Sequence, residues 1–446
     1  MPGKWTTFIS DTAGLIMIGV GFYLLTRAGQ YLFTSLILLI VGLASLSLTR
    51  RAHTYLPVAM AARHISTYAP TAVILTLVAV ALSDFASHFT RVDFGMFYAS
   101  ALQLRSDPAH LYDVTIQNQV LRLVTGDLEY HYLSFPYPPF VAALFVPLTY
   151  LSFHSAYFIM LGCNLILLAS TVYFLSKSLC RTRDQVQAII LAGSMLLPIY
   201  INLILGQMAF VGLLLYSLFI IDILKKKDTR AGLWAAFLSY KLMLVPIPFL
   251  ILLLRRAWKG MSVAIFVMIL LAGFSLALVG ANGISGNLYV MKMMTNDSLI
   301  PRMQSIRALA YYLGFQGEIY WLCAALALGA LWLVARRNGG EKWILAAAVL
   351  ANLLVSPYVQ IYDVSLCLIA VALVVSALPE MSLSKRASLL LWAFLPGFIS
   401  VAGQVAGRNW PAIPVGLLIM FFYCLLKATN QPQTPQNQLV SSICDS

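Results

Sequence analysis

The chain is written as a series of apolar runs separated by short polar punctuation. The runs fall near 12–26, 31–48, 69–85, 153–175, 188–204, 207–224, 231–254, 261–281, 319–335, 343–355, 364–378, 389–405 and 414–427. Crossing a bilayer as a helix takes roughly 20 apolar residues, and only helices or closed barrels satisfy their backbone hydrogen bonds in lipid. The runs are continuous and do not alternate between apolar and polar, so a barrel is excluded and the predicted fold class is an all-α, polytopic helical membrane protein. The first run reads as a retained helix, since no small-residue cleavage site follows it. The tail 431–446, QPQTPQNQLVSSICDS, is polar and reads as disordered.

Lysine and arginine orient the runs. They cluster at Arg50/Arg51/Arg63, Lys177/Arg181/Arg183, Lys225/Lys226/Lys227/Arg230, Arg255/Arg256/Lys259, Arg336/Arg337/Lys342 and Lys385/Arg386. The positive-inside rule puts all six clusters in the cytoplasm. A single crossing of 231–254 would separate the third cluster from the fourth. The conflict disappears if that segment enters and returns as two short helices broken near Lys241, Pro246 and Pro248. About fourteen membrane passages result, with both termini inside. The proline-rich stretch 138–151 is then an outer-face element.

Four regions are expected: an amino-terminal hairpin and cytoplasmic loop, 1–66; a transmembrane core, 67–378, with outer-face loops 86–152 and 282–318; a carboxy-terminal hairpin, 379–430; and the tail.

Composition agrees with the pattern. Of 446 residues 61% are hydrophobic and 10% charged, with a mean hydropathy of +0.85; soluble proteins average about 25% charged. The net charge of +13 would suggest nucleic acid in a soluble protein, but here it resides in the loop punctuation and implies no nucleic-acid partner. The six cysteines form no CxxC pair, the histidines form no HExxH, and no GxxxxGK[ST] loop is present. Metal hydrolysis and nucleotide-driven transport gain no support. No cofactor or metal ligand set is expected, and a divalent-metal requirement stays open.

The candidate chemistry collects on one side of the membrane. Asp93, in RVDFGMFYASALQL, reads either as a partly desolvated general base or as an ordinary helix N-cap. YHYLSFPYPPF, 130–140, offers rings that stack on sugars or anchor to headgroups. Lys241, Arg302 and Arg307 offer three positive charges for a phosphate, the alternative for the two arginines being a solvated loop. Lys241 stands out because an ionisable group in mid-span is costly. Asp363, in SPYVQIYDVSLCL, reads as a second acid or as a carboxylate favoured at a helix N-terminus.

Taken in order, Asp93-Phe94 with Tyr98, DPxxLYD at 107–113, YPPF then PLxxLSF, Gly206-Gln207, YKLMLVP at 240–246 followed by LLRRAW, NDSL at 296–299 and SPY at 356–358 resemble the GT-C integral-membrane glycosyltransferases. Within that class the set is most similar to glycosyltransferase family 87, the polyprenyl-phosphate-mannose-dependent mannosyltransferases and their bacterial relatives, over about residues 84–375.

The resemblance implies an inverting transfer of a hexose, mannose by analogy, from a polyprenyl-phosphate donor to a hydroxyl of a lipid or glycan. It places the reaction at the extracytoplasmic face of a bacterial cytoplasmic membrane. Asp93 takes the catalytic position, with Asp363 as a helper. Lys241, Arg302 and Arg307 meet the donor phosphate, and Tyr98, Tyr137, Gln207, Asn296 and Tyr362 bind substrate. Where some mannosyltransferases carry tryptophan and histidine after the Ser-Pro pair, this chain has Gln360, Tyr362 and Asp363. Two other readings compete: a transporter or flippase of an anionic prenyl lipid, and an outer-face glycan polymerase or ligase.

Overall fold

A computed structural model describes residues 93–126, 135–294, 297–315, 317–336, 340–378, 383–405 and 411–430. The first three apolar runs, the Arg50/Arg51/Arg63 cluster, Asn296 and the tail lie outside the described residues. Among those described there are α-helices and short 3₁₀ turns and no strand.

The chain begins with α1, Phe94–Ser106, and α2, Val114–Thr125, followed by the short α3, Pro139–Phe145, and the long α4, Phe153–Leu179. A bent pair follows, α5, Arg183–Met195, and α6, Leu197–Leu205, then α7, Ala209–Leu224. Next come α8, Asp228–Phe237, α9, Pro246–Leu254, and α10, Trp258–Met293. The rest comprises α11, Ile306–Tyr312, α12, Gly317–Arg336, α13, Glu341–Val355, α14, Cys367–Ala377, α15, Leu383–Val405, and α16, Ala412–Thr429.

Local chemistry sets several boundaries. Asp113 caps α2 by accepting from the N–H groups of Thr115 at 2.9 Å and Ile116 at 3.1 Å, and Gly126 ends the helix in the left-handed region. Ser152 caps α4 and Thr182 caps α5 in the same way. Pro198 follows the break between α5 and α6, which bend by 60°.

Four helices, α4, α10, α12 and α16, are long and apolar enough to cross a membrane, and the bent pair α5–α6 makes a fifth. The fourteen passages counted from the sequence are not reached on that criterion among the described residues. The other apolar runs form shorter helices interrupted by prolines and 3₁₀ turns. The long helices carry their large apolar residues outward: Phe266, Ile269 and Phe274 on α10, Trp321 and Leu326 on α12, Ile419 and Phe422 on α16 are all exposed. An outward apolar face suits lipid and not water.

The helices run between two ends of different chemistry. At one end the basic clusters meet: Lys225 Nζ donates to Ser178 Oγ at 3.3 Å, Arg255 pairs with Glu341, and Lys342 Nζ donates to the Ser376 carbonyl at 3.0 Å. The segment between α7 and α10 leaves this end and returns to it. A Cβ on Gly232 would collide with the Gly260 carbonyl oxygen, and one on Gly260 would lie 2.5 Å from that of Asp228, so α8 and the start of α10 touch by backbone. Buried Asp222 fastens the incoming arm, accepting from Trp234 Nε1 at 2.8 Å and pairing with Arg230 at 3.2 Å.

At the other end the two outer segments pack together. The stretch 138–151 lies along α1, tied by Tyr98 Oη to the Leu151 carbonyl at 2.7 Å and by Arg105 Nη1 to Thr149 Oγ1 at 2.9 Å. The region 282–318, expected as a loop, is largely helical. Gly280, with φ 69° and ψ −178°, breaks the helical backbone inside α10 and kinks it, and a second helical length runs on to Met293. Gly286 of that continuation packs against Tyr112, where a Cβ would come within 2.9 Å of the Tyr112 Cβ.

Candidate active site

The site assembles where α1 starts, α6 ends, α8 turns into α9 and α13 gives way to the 356–363 run. Asp93 opens α1, yet its side chain makes no cap hydrogen bond. Its Oδ2 accepts instead from Gln207 Nε2 at 2.6 Å. That contact turns its carboxylate across the molecule toward the end of α6, not back onto its own helix.

Gln207 reaches Asp93 because α6 stops at Gly206, whose φ of 63° closes the helix. The Gln207 N–H donates to the Asn202 carbonyl at 3.1 Å, and Asn164 Nδ2 donates to the Gln207 carbonyl at 3.0 Å. Asn202 Oδ1 accepts from Ala209 N at 3.0 Å and ties off the next turn. A side chain at 206 would collide with Phe94 and Tyr157, so glycine also permits the close approach of α1.

Tyr137 forms the far side. Its hydroxyl donates to Gln207 Oε1 at 3.3 Å, and its ring lies nearly parallel to that of Tyr240, at 8°. Its carbonyl accepts from Tyr112 Oη at 2.6 Å and Asn287 Nδ2 at 3.0 Å. The DPAHLYD run and the helical continuation beyond Gly280 thus serve to hold Tyr137. Burial, then the Asp363 carboxylate, then the neighbouring phenols and Asp93, keep its phenol far above the ordinary tyrosine range and therefore protonated.

Lys241 sits between the 3₁₀ turns Leu238–Tyr240 and Leu242–Leu244, in extended backbone, where the chain between α8 and α9 reverses. Its Nζ lies 2.6 Å from Asp363 Oδ1, and both residues are buried, at 8% and 3% exposure. The rings of Tyr362, Tyr137 and Tyr358 lie 4.9, 5.9 and 6.0 Å from the ammonium. Asp363 uses its two oxygens separately. Its Oδ2 accepts from the Gln360 N–H at 2.9 Å, closing the first turn of Ile361–Leu366, while Oδ1 holds the lysine. The Tyr358 phenol is pushed up by burial and by Asp363.

The remaining expected residues are distributed unevenly. Arg307 is half-buried and its Nη1 reaches the Pro357 carbonyl at 3.5 Å, beside Tyr358, while Gln304 N donates to the Val359 carbonyl at 2.8 Å. Arg302 is exposed at the end of the turn Asp297–Arg302. Tyr98 has its hydroxyl on the Leu151 carbonyl and its ring against Phe153. The three expected phosphate-binding cations thus have different surroundings: Lys241 is buried on a carboxylate, Arg307 is half-buried beside Pro357 and Arg302 is exposed.

Sequence reasoning missed Tyr240, Tyr358, Asn164, Asn202 and Asn287. The two tyrosines adjoin recognised residues, in YKLMLVP and SPY. Asn164 and Asn202 carried a signal of their own, an amide inside an apolar run, which in lipid implies an internal partner; Asn287, in the expected outer loop 282–318, carried none. No group of three or more His, Cys, Asp or Glu side chains among the described residues is placed to hold a metal ion.

The arrangement offers a carboxylate to accept a proton and, across Tyr137 and Gln207, a buried cation. No curated protein and no solved structure matches the chain. A sequence model of glycosyltransferase family 87 matches residues 135–357, half of the chain, a range that includes Tyr137, Gln207 and Lys241, ends shortly before Asp363 and begins well after Asp93. With that match added to the lipid-facing helices, the chain belongs to glycosyltransferase family 87 and is a membrane glycosyltransferase.

Proposed function

We propose that the protein moves a hexose, mannose by analogy with the family, from a polyprenyl phosphate to a hydroxyl of a lipid or glycan acceptor. The reaction is placed at the extracytoplasmic face of a bacterial cytoplasmic membrane. The observation that carries this reading is the convergence of Asp93 and Lys241, joined by Gln207 and Tyr137, at the end of the helical body opposite the basic clusters. Basic clusters favour the cytoplasm, so the site end faces out.

In the proposed step Asp93 takes the proton of the acceptor hydroxyl as its oxygen attacks the anomeric carbon from the side opposite the phosphate. The bond from that carbon to the phosphate oxygen breaks, its electron pair stays with the polyprenyl phosphate, and the configuration inverts. The leaving phosphate gains a negative charge. Lys241 has three N–H donors and gives one to Asp363, so it can bridge that carboxylate and the phosphate. A fixed cation in a desolvated site is well suited to the developing charge. Arg307 lies beside the same run, and Tyr362 and Tyr358 face Lys241 where a sugar ring would stack.

The test is an assay of the purified protein in lipid nanodiscs with a panel of radiolabelled polyprenyl-phosphate sugars and native lipid extract. Label is expected in the acceptor with one donor preferred. In proteoliposomes, movement of the intact donor across the bilayer without transfer would replace this reading with a carrier.

A further inference from the structure

Gln207 was expected to bind substrate, yet its side chain is occupied at both ends. Nε2 donates to Asp93 at 2.6 Å and Oε1 accepts from Tyr137 at 3.3 Å. The two partners fix the amide in one orientation for independent reasons. An ionised carboxylate only accepts, so the NH₂ must face Asp93; a buried phenol that keeps its proton donates it to the amide oxygen. The backbone on which Gln207 stands is clamped by Asn202 and Asn164. Tyr137 is clamped in turn by Tyr112 and Asn287.

We infer that Gln207, oriented by Tyr137, is the positioning residue of Asp93, aiming its carboxylate and keeping it ready to accept a proton. The inference rests on reading Asp93 as the base and goes beyond it by assigning the residues that make it one. Among the described residues the phenols of Tyr137 and Tyr358 face Asp93, and the Lys241–Asp363 pair lies across the Tyr137 ring. A hydrogen bond to the charged form of a carboxylate favours that form, so its loss makes Asp93 hold a proton to higher pH.

Gln207→Met keeps the length of the side chain, deletes both hydrogen bonds and leaves the backbone anchors in place. Tyr137→Phe deletes only the bond that orients the amide. Both variants and the wild type are to be compared in nanodiscs by infrared titration of the carboxyl band, with Asp93→Asn identifying the band. In parallel, the pH dependence of kcat/KM is measured with polyprenyl-phosphate mannose.

In Gln207→Met the Asp93 band should titrate about one pH unit higher, and the acid limb of kcat/KM should move with it. kcat should fall about tenfold while KM for the donor stays nearly constant. Tyr137→Phe should shift both in the same direction by less, and it carries the test if Gln207→Met does not fold. An unchanged band in a folded Gln207→Met, or a raised donor KM with an unmoved acid limb, would overturn the inference and return Gln207 to substrate binding. A shifted band in a protein that transfers nothing from that donor would uphold the positioning and reject the donor.

Discussion

At the residue scale, the pair Lys241–Asp363 controls what any single substitution can report. Each charge is buried, and each compensates the other's loss of water. Lys241→Met would leave Asp363 as a carboxylate without its counter-charge, at a cost of about 3–5 kcal/mol, which thermal melting in detergent would read as a marked drop. Asp363→Asn should destabilise less, because three tyrosine rings still face the ammonium. The double variant Lys241→Met/Asp363→Asn should recover most of the melting temperature and none of the transfer. Recovery of transfer would make the pair purely structural. Asp93 accepts from the neutral amide of Gln207. Asp93→Asn should lower turnover by about 10²–10⁴ while donor binding survives, and Asp363→Asn should cost less. A larger loss at Asp363 would move the base to the SPYVQIYD run.

At the element scale, the return of α8 through α9 depends on two glycines. Gly232→Ala would drive a methyl into the Gly260 carbonyl, where no side chain can rotate away, so α8 must move off α10 and shift the turn that carries Lys241. The expected outcome is a lower melting temperature together with reduced transfer. Gly162→Ala is the matched control: it lies inside α4 with nothing within 4 Å of the added methyl, and should be neutral or stabilising by up to about 1 kcal/mol. Equal effects at the two sites would remove the contact from the argument. The hairpin was legible in the sequence because basic clusters on both flanks of one apolar run conflict with a single crossing, and Lys241 with two prolines marked the break. The continuation of α10 past Gly280 was not legible, since its packing partner Tyr112 lies far away in the chain. The same distance hid how the site is joined. Asp93 and Gln207 are 114 positions apart and Lys241 and Asp363 are 122 apart, so residue type could nominate each but not pair them.

At the scale of the whole molecule, chemistry is sorted along one axis. Each traverse from α4 to α14 leaves a basic turn at one end and a site segment at the other, although many of the helices are too short to count as spans by themselves. This sorting makes sidedness testable with few positions. Thr229 and Lys259 lie on the two flanks of the α8–α9 hairpin at the basic end, and both are exposed. Leu123, on α2, is 84% exposed and belongs to the segment packed on α1 at the site end. In a cysteine-free background, Thr229→Cys and Lys259→Cys should resist a membrane-impermeant maleimide added to intact cells and react after permeabilisation, whereas Leu123→Cys should react directly. Opposite behaviour of Thr229→Cys and Lys259→Cys would sink the hairpin, and with it the placement of Lys241 beside Asp93's end of the fold. Agreement between those two with all three sides exchanged would keep the hairpin and invert the membrane, putting the site in the cytoplasm. There a soluble nucleotide-sugar donor would become accessible, and the case for a lipid-linked donor would lose its topological support. The labelling pattern therefore tests the donor class as well as the fold, because which face holds Asp93 decides which activated sugars can reach it.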